Sequence, residues 1–233
     1  MGEVKPAFEL TLFGLNIPIY TSIIYQWVIM IIIALLSLVL TSRLEVVPKG
    51  KQIFAEYLTE TINNLVEDNM GKKYKKYAPY IGTLAAFLLF MNLFDILGLK
   101  PPTSDYSVAL GLAIMSFVII QTNAIVKNGI GHYLRAFAEP FSFMLPLNII
   151  ERLIVPVSLS LRLFGNTFAA VIIVEFLYKA LAAITNSIHF PIPIFQAVIP
   201  IPFHIYFSIF DGVIQMVIFV MLTMIFIKII AEH

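Results

Sequence analysis

The chain has no cysteine in 233 residues, and only 12% of its residues are charged. Without thiols it can form no disulfide, thiolate nucleophile, zinc–sulfur site or iron–sulfur cluster. The shortage of charge excludes more. A soluble domain is about a quarter charged, and a disordered chain needs high charge with little apolar content. Here 60% of the residues are hydrophobic, so too little polar surface remains to face water. Charge of one sign is also missing. With 15 Lys and Arg against 14 Asp and Glu, the net charge of +1 draws the molecule toward no nucleic acid. The composition implies an all-α integral membrane protein. At roughly 20 residues per span plus loops, its length allows about five or six crossings.

Long apolar runs predict spans over 19–41, 79–99, 106–126, 148–183 and 203–230, within a single membrane domain covering 1–233. The first run is too long for a signal peptide and is followed by Arg43 and Lys49, so it reads as a retained helix. Over 52–69, Phe54, Leu58, Ile62 and Leu65 recur at helical spacing, with Glu56, Glu60, Glu67 and Asp68 elsewhere on the wheel. That pattern predicts an amphipathic helix lying on the membrane or on a partner subunit, with a solvated linker helix as the alternative. Residues 137–146 are apolar but short and broken by Pro140 and Pro146, which suits a re-entrant or interfacial segment. A proline-rich connection follows over 187–202. Basic residues gather over 43–76 and 127–135. By the positive-inside rule these loops and the C-terminus are cytoplasmic and the N-terminus is outside. The expected location is the cell (inner) membrane, crossed several times.

Sorting the remaining charges by depth isolates Arg162. It is the only charge between Arg152 and Glu175, so it stands near the middle of its span. An arginine there costs about 2.5–3.5 kcal/mol on insertion scales, and it cannot escape by losing its proton. It should face another subunit's carboxylate or a water-filled cavity. Glu151, Ser158, Arg162 and Asn166 share one helical face on the inner half of this span. On the last span His204, Ser208, Asp211 and Gln215 share another, on the outer half. Two polar half-paths in opposite leaflets therefore end near a central arginine. A continuous pore would need a stripe running right through. Half-paths need a carrier that shuttles the ion, and this chain holds no free shuttle group, so the carrier belongs to a partner. Glu175 and Lys179 form either a structural i,i+4 pair or part of an outer vestibule. Asp95, at similar depth on the second span, could join either arrangement.

These residues carry a resemblance. The run Ser160-Leu161-Arg162-Leu163-Phe164-Gly165-Asn166 resembles the arginine motif of the subunit a family of F-type ATP synthases. Met91-Asn92-Leu93-Phe94-Asp95, Pro101-Pro102-Thr103-Ser104-Asp105, Leu147-Asn148-Ile149-Ile150-Glu151 and Gln215 with Ile218-Phe219 and Leu222-Thr223 are similar to its other landmarks, in the family's order. The similarity runs from about Pro48 to the C-terminus.

The resemblance implies two long tilted helices, 148–183 and 203–230, facing a partner c-ring. It implies further partners in the subunit b peripheral stalk and the rest of the ATP synthase. The chain itself would be non-catalytic, with no cofactor and no metal. A proton, or in some members a sodium ion, would load a c-ring carboxylate from one half-channel and leave by the other. Arg162 would be the essential arginine, separating the half-channels and promoting ion release, with Gln215 and Asn166 positioning it or lining the path. One departure stands out. Many members carry Glu or His nine residues after the arginine, where this chain has Val171. Asp211 is then the best local substitute and Glu175 the second. The alternative is a proton-coupled secondary transporter, which usually shows internal repeats and facing broken helices; neither is obvious in this sequence.

Overall fold

The computed structural model describes residues 8–12, 15–42, 44–137, 141–187 and 194–232. Arg43, His189 and residues 138–140 of the expected interfacial segment lie outside the described residues. A short antiparallel hairpin, β1 (Phe8–Leu12) and β2 (Leu15–Ile19), precedes α1 (Thr21–Thr41). Ile19 therefore belongs to the hairpin, and the first helix begins two residues later than the apolar run suggested. From there the described chain is helical, as lipid demands: a helix satisfies its backbone polar groups within its own segment.

Five segments are long and apolar enough to cross a membrane: Thr21–Thr41, Lys72–Leu97, Tyr106–Asn128, Leu145–Thr185 and Phe195–Glu232. The amphipathic segment is α2 (Lys51–Met70). Its Val66 and Met70 pack inward, while Phe54, Leu58 and Leu65 stay exposed. The centre of the molecule is built from α3 (Ala78–Leu93), α4 (Tyr106–Asn128) and α9 (Gly212–Glu232). Ile81, Leu88, Met91, Ile120, Phe219, Met224 and Ile227 are fully buried there. Ala109, Ala113 and Ser116 form a small-residue face on α4, which lets neighbouring backbones come close where water supplies no drive between helices. Polar pins add register: Asn123 Nδ2 donates to the Ile227 carbonyl at 3.0 Å, and Tyr80 and Ser116 hydroxyls meet at 2.9 Å.

After α5 (Ile130–Ala136), α6 runs unbroken from Leu145 to Ser187, 43 residues. That is about 64 Å of helix, against a hydrocarbon core of about 30 Å. Pro146 sits in its first turn, where no donor is needed. Pro156 lies inside and leaves the Arg152 carbonyl without its helical donor. Val155, Leu159 and Leu163 bury one face of α6, which packs mainly on α4. The last span is composite: α7 (Ile194–Val198), α8 (Pro200–Ile205), a π-helical turn (Tyr206–Asp211) and α9. Helix thus begins well before residue 203.

The two ends of the bundle differ chemically. At one, Lys73 pairs with Glu232 at 2.9 Å, Lys127 Nζ donates to the Tyr74 hydroxyl at 3.2 Å, and Lys228 reaches the Asn69 carbonyl at 3.4 Å. At the other, Asp105 caps α4 through the Ser107 N–H and accepts from the Ser22 hydroxyl at 2.8 Å, tying α1 to the loop.

Gly212 is the tightest joint. A Cβ there would lie 2.8 Å from Asn92 Cβ, and Asn92 Nδ2 donates to the Gly212 carbonyl at 3.1 Å. Gly212→Ala is expected to cost about 1–3 kcal/mol of overpacking and lower the unfolding midpoint of the detergent-solubilised chain. Gly111→Ala, with open space over the helix, is expected to raise it. Equal shifts for both would contradict the close contact.

Candidate ion path and central arginine

The polar residues of the last span do not face outward; they converge on the end of α3. Asp95 follows α3 in a 3-10 turn, Phe94–Leu97. Gly98, at φ 72°, closes that turn by returning its N–H to the Asp95 and Phe94 carbonyls. Asp95 Oδ2 accepts from the Ser208 hydroxyl at 2.8 Å and lies 3.1 Å from His204 Nδ1. A carboxylate only accepts, so Nδ1 donates in this contact. On the other side of the ring, Nε2 lies 3.4 Å from the Tyr178 hydroxyl.

Two spaces meet at Asp95. An open vestibule of about 290 Å³ is lined by Lys100, Glu175, Tyr178 and His204 among others. An inner cavity of about 20 Å³, room for about one water, is lined by Asn92, Thr167, Ser208, Asp211 and Gln215 among others. Asp95, Pro101 and Val171 line both, and so form the neck between them. The π-helical turn places Ser208, Asp211, Gly212 and Gln215 together on the cavity wall. Such turns insert one residue into the helical ladder and often occur at functional sites.

At the inner end of the cavity Gln215 Oε1 accepts from Asn166 Nδ2 at 2.8 Å, joining α9 to α6. Arg162 stands one turn further along α6, about 6 Å away along the axis. It is half-buried, and among the described residues it has no hydrogen-bond or ion-pair partner. Ser158, Leu161, Gly165, Asn166 and Ala169 around it are exposed, and the space over Gly165 is open. The arginine lies beside a bare strip of small side chains that a second helix could approach closely.

The structure therefore gathers Asp95, Ser208, Asp211 and Gln215 around one cavity, with Asn166 bonded to Gln215. Glu175 lines the vestibule while also pairing with Lys179 at 2.7 Å, so the two roles open to it coexist. Glu151 and Ser158 line neither space and lie exposed along the other half of α6. Arg152 points elsewhere, against the edge-to-face pair of Tyr133 and Phe137 rings, at 4.9 and 4.2 Å from their centroids. Sequence reasoning missed the joining of His204 to Asp95 and the part played by Tyr178. The i, i+4 spacing of His204 and Ser208 was the available signal. Tyr178 continues the face of Val171 and Glu175 at helical spacing.

A family model described as ATP synthase A chain matches residues 23–228. The chain is 39% identical to ATP synthase subunit a of Moorella thermoacetica, over 76% of this chain and 81% of the relative. It is 32% identical to "ATP synthase subunit a, sodium ion specific" of Propionigenium modestum, over 98% and 80%. It is also 32% identical to ATP synthase subunit a of Lysinibacillus sphaericus, over 97% and 96%. The chain belongs to the ATP synthase subunit a family, a multi-pass, non-catalytic membrane subunit of that complex.

Proposed function

We propose that this chain carries ions between the two sides of the membrane and a rotating c-ring, through two offset half-paths separated by Arg162. The observation that carries the reading is Arg162 itself. A permanent charge near mid-span, unpaired among the described residues and beside an open small-residue strip, needs a carboxylate from another chain. A ring carboxylate brought against the guanidinium is favoured in its charged form, so it releases its ion. The same positive charge repels an ion attempting to pass directly from one half-path to the other.

The outer half-path is the vestibule, the Asp95 neck and the cavity ending at Gln215 and Asn166. The inner half-path follows Glu151 and Ser158 along α6. Length supports steep tilting of α6 against the ring, since its helix is about twice the thickness of the hydrocarbon core. The lysine-rich end faces the cytoplasm by the positive-inside rule, which puts the C-terminus there and the N-terminus outside in the cell membrane. The subunit b stalk holds the chain against rotation. Each charge crossing yields about 2.3 kcal/mol per 100 mV, so one ATP requires several ions.

The absence of native cysteine makes the topology directly testable, because an introduced thiol is the only one. Ser158→Cys is expected to react with an impermeant thiol reagent added from the cytoplasmic side, and Glu175→Cys from the outer side. Reaction of both from the same side would contradict two offset half-paths.

A further inference from the structure

We infer that His204 is the intake proton relay of the outer half-path, supplying at the neck the ionisable function that Val171 cannot. The inference rests on the half-path reading above and deepens it. Three observations converge on this ring. Its Nε2 faces the vestibule beside Tyr178, its Nδ1 lies 3.1 Å from Asp95 Oδ2, and Asp95 lines both the vestibule and the inner cavity. The ring thus connects the open space, through Asp95, to the one-water cavity. Val171, which lines the same neck, has no proton to give or take.

The proton balance is simple. Nε2 takes a proton from vestibule water, giving an imidazolium. The Nδ1–H then passes its proton to Asp95 Oδ2, leaving a neutral ring protonated on Nε2. Asp95 hands the proton to cavity water beside Ser208 and Asp211, and the ring resets by turning into the vestibule, where water takes the Nε2 proton and supplies one to Nδ1 before the ring turns back. No other reactant is needed. Groups sharing the vestibule with the ring are Asp95 after α3, Glu175 and Tyr178 on α6 and Lys100 in the loop, with Lys179 paired to Glu175; Asp211, two turns along the same span, lies on the inner cavity.

A latch would have the same hydrogen bonds, so the test must read proton transfer. The whole ATP synthase carrying His204→Ala or His204→Gln would be reconstituted in vesicles, with Arg162→Ala in parallel. Both His204 variants are expected to assemble and to lose about 100-fold in proton-driven ATP synthesis, the lower end of what a positioned acid–base group contributes. The vestibule is open, so imidazole added outside is expected to restore His204→Ala with the pH dependence of imidazole itself. Unchanged synthesis and an unchanged outer-pH profile in both variants, or a loss in His204→Ala that imidazole leaves untouched, would overturn the relay. Normal pumping by Arg162→Ala would instead overturn the half-path reading, so the two failures are separable.

Discussion

Arg162→Ala is expected to bring ATP-driven ion pumping in reconstituted vesicles to background while leaving the subunit in the membrane. The side chain makes no hydrogen bond or ion pair among the described residues, so its removal costs the isolated fold little. Its loss falls on the complex. Removing one member of a desolvated charge pair costs about 3–5 kcal/mol, which is roughly 100- to 1,000-fold or more in an equilibrium or rate. The same substitution is expected to increase passive ion leak, because the positive barrier between the half-paths is gone. Arg162→Lys should recover only part of the activity. A lysine presents a point charge without the planar fork and can give up its proton in an apolar setting. Pumping at the normal rate by Arg162→Ala would remove the arginine from the mechanism.

The second large effect is expected at Asp95. Its Oδ2 accepts from both Ser208 and His204, and hydrogen bonds to a charged group are worth about 1.5–3 kcal/mol each. Asp95→Ala removes the shared acceptor and, among the described residues, the only carboxylate lining both the vestibule and the inner cavity. Proton-driven synthesis should fall by about 100-fold, with Asp95→Asn nearly as slow despite keeping an acceptor for Ser208. Asp95→Glu should retain more activity than either. Asp211→Asn should slow uptake less than Asp95→Asn, because Asp211 lines only the inner cavity. The measurement is synthesis rate against outer pH at matched subunit content. Equal, near-normal rates for Asp95→Asn and wild type would take Asp95 out of the path.

Much of this was legible in the sequence, for a physical reason. Charge is so expensive in lipid that its depth along an apolar run points to its use. Arg162 stood out on that ground alone, and the spacing of Ser158, Arg162 and Asn166 marked the face that stays uncovered in the fold. What was not legible was local geometry set by contacts across the bundle. Nothing inside Tyr206–Asp211 marks a π turn; it lies directly before Gly212, whose hydrogen atom is all that fits against Asn92. The 3-10 turn that carries Asp95 is closed by Gly98, yet the carboxylate's partners come from residues more than a hundred positions away. Alternation of charge and apolar residues reports depth and face. It does not report which two faces meet.

The lone arginine also bears on biogenesis. A copy of this chain released into the bilayer before its partners arrive exposes Arg162 beside the bare strip at Gly165 and Ala169. The penalty of about 2.5–3.5 kcal/mol on insertion scales biases that span toward slipping or withdrawal by roughly 100-fold. In the function proposed above, docking against an acidic ring removes that penalty. The charge proposed to separate two half-paths therefore has a second consequence: its cost in lipid distinguishes a copy that has met its partner from one that has not.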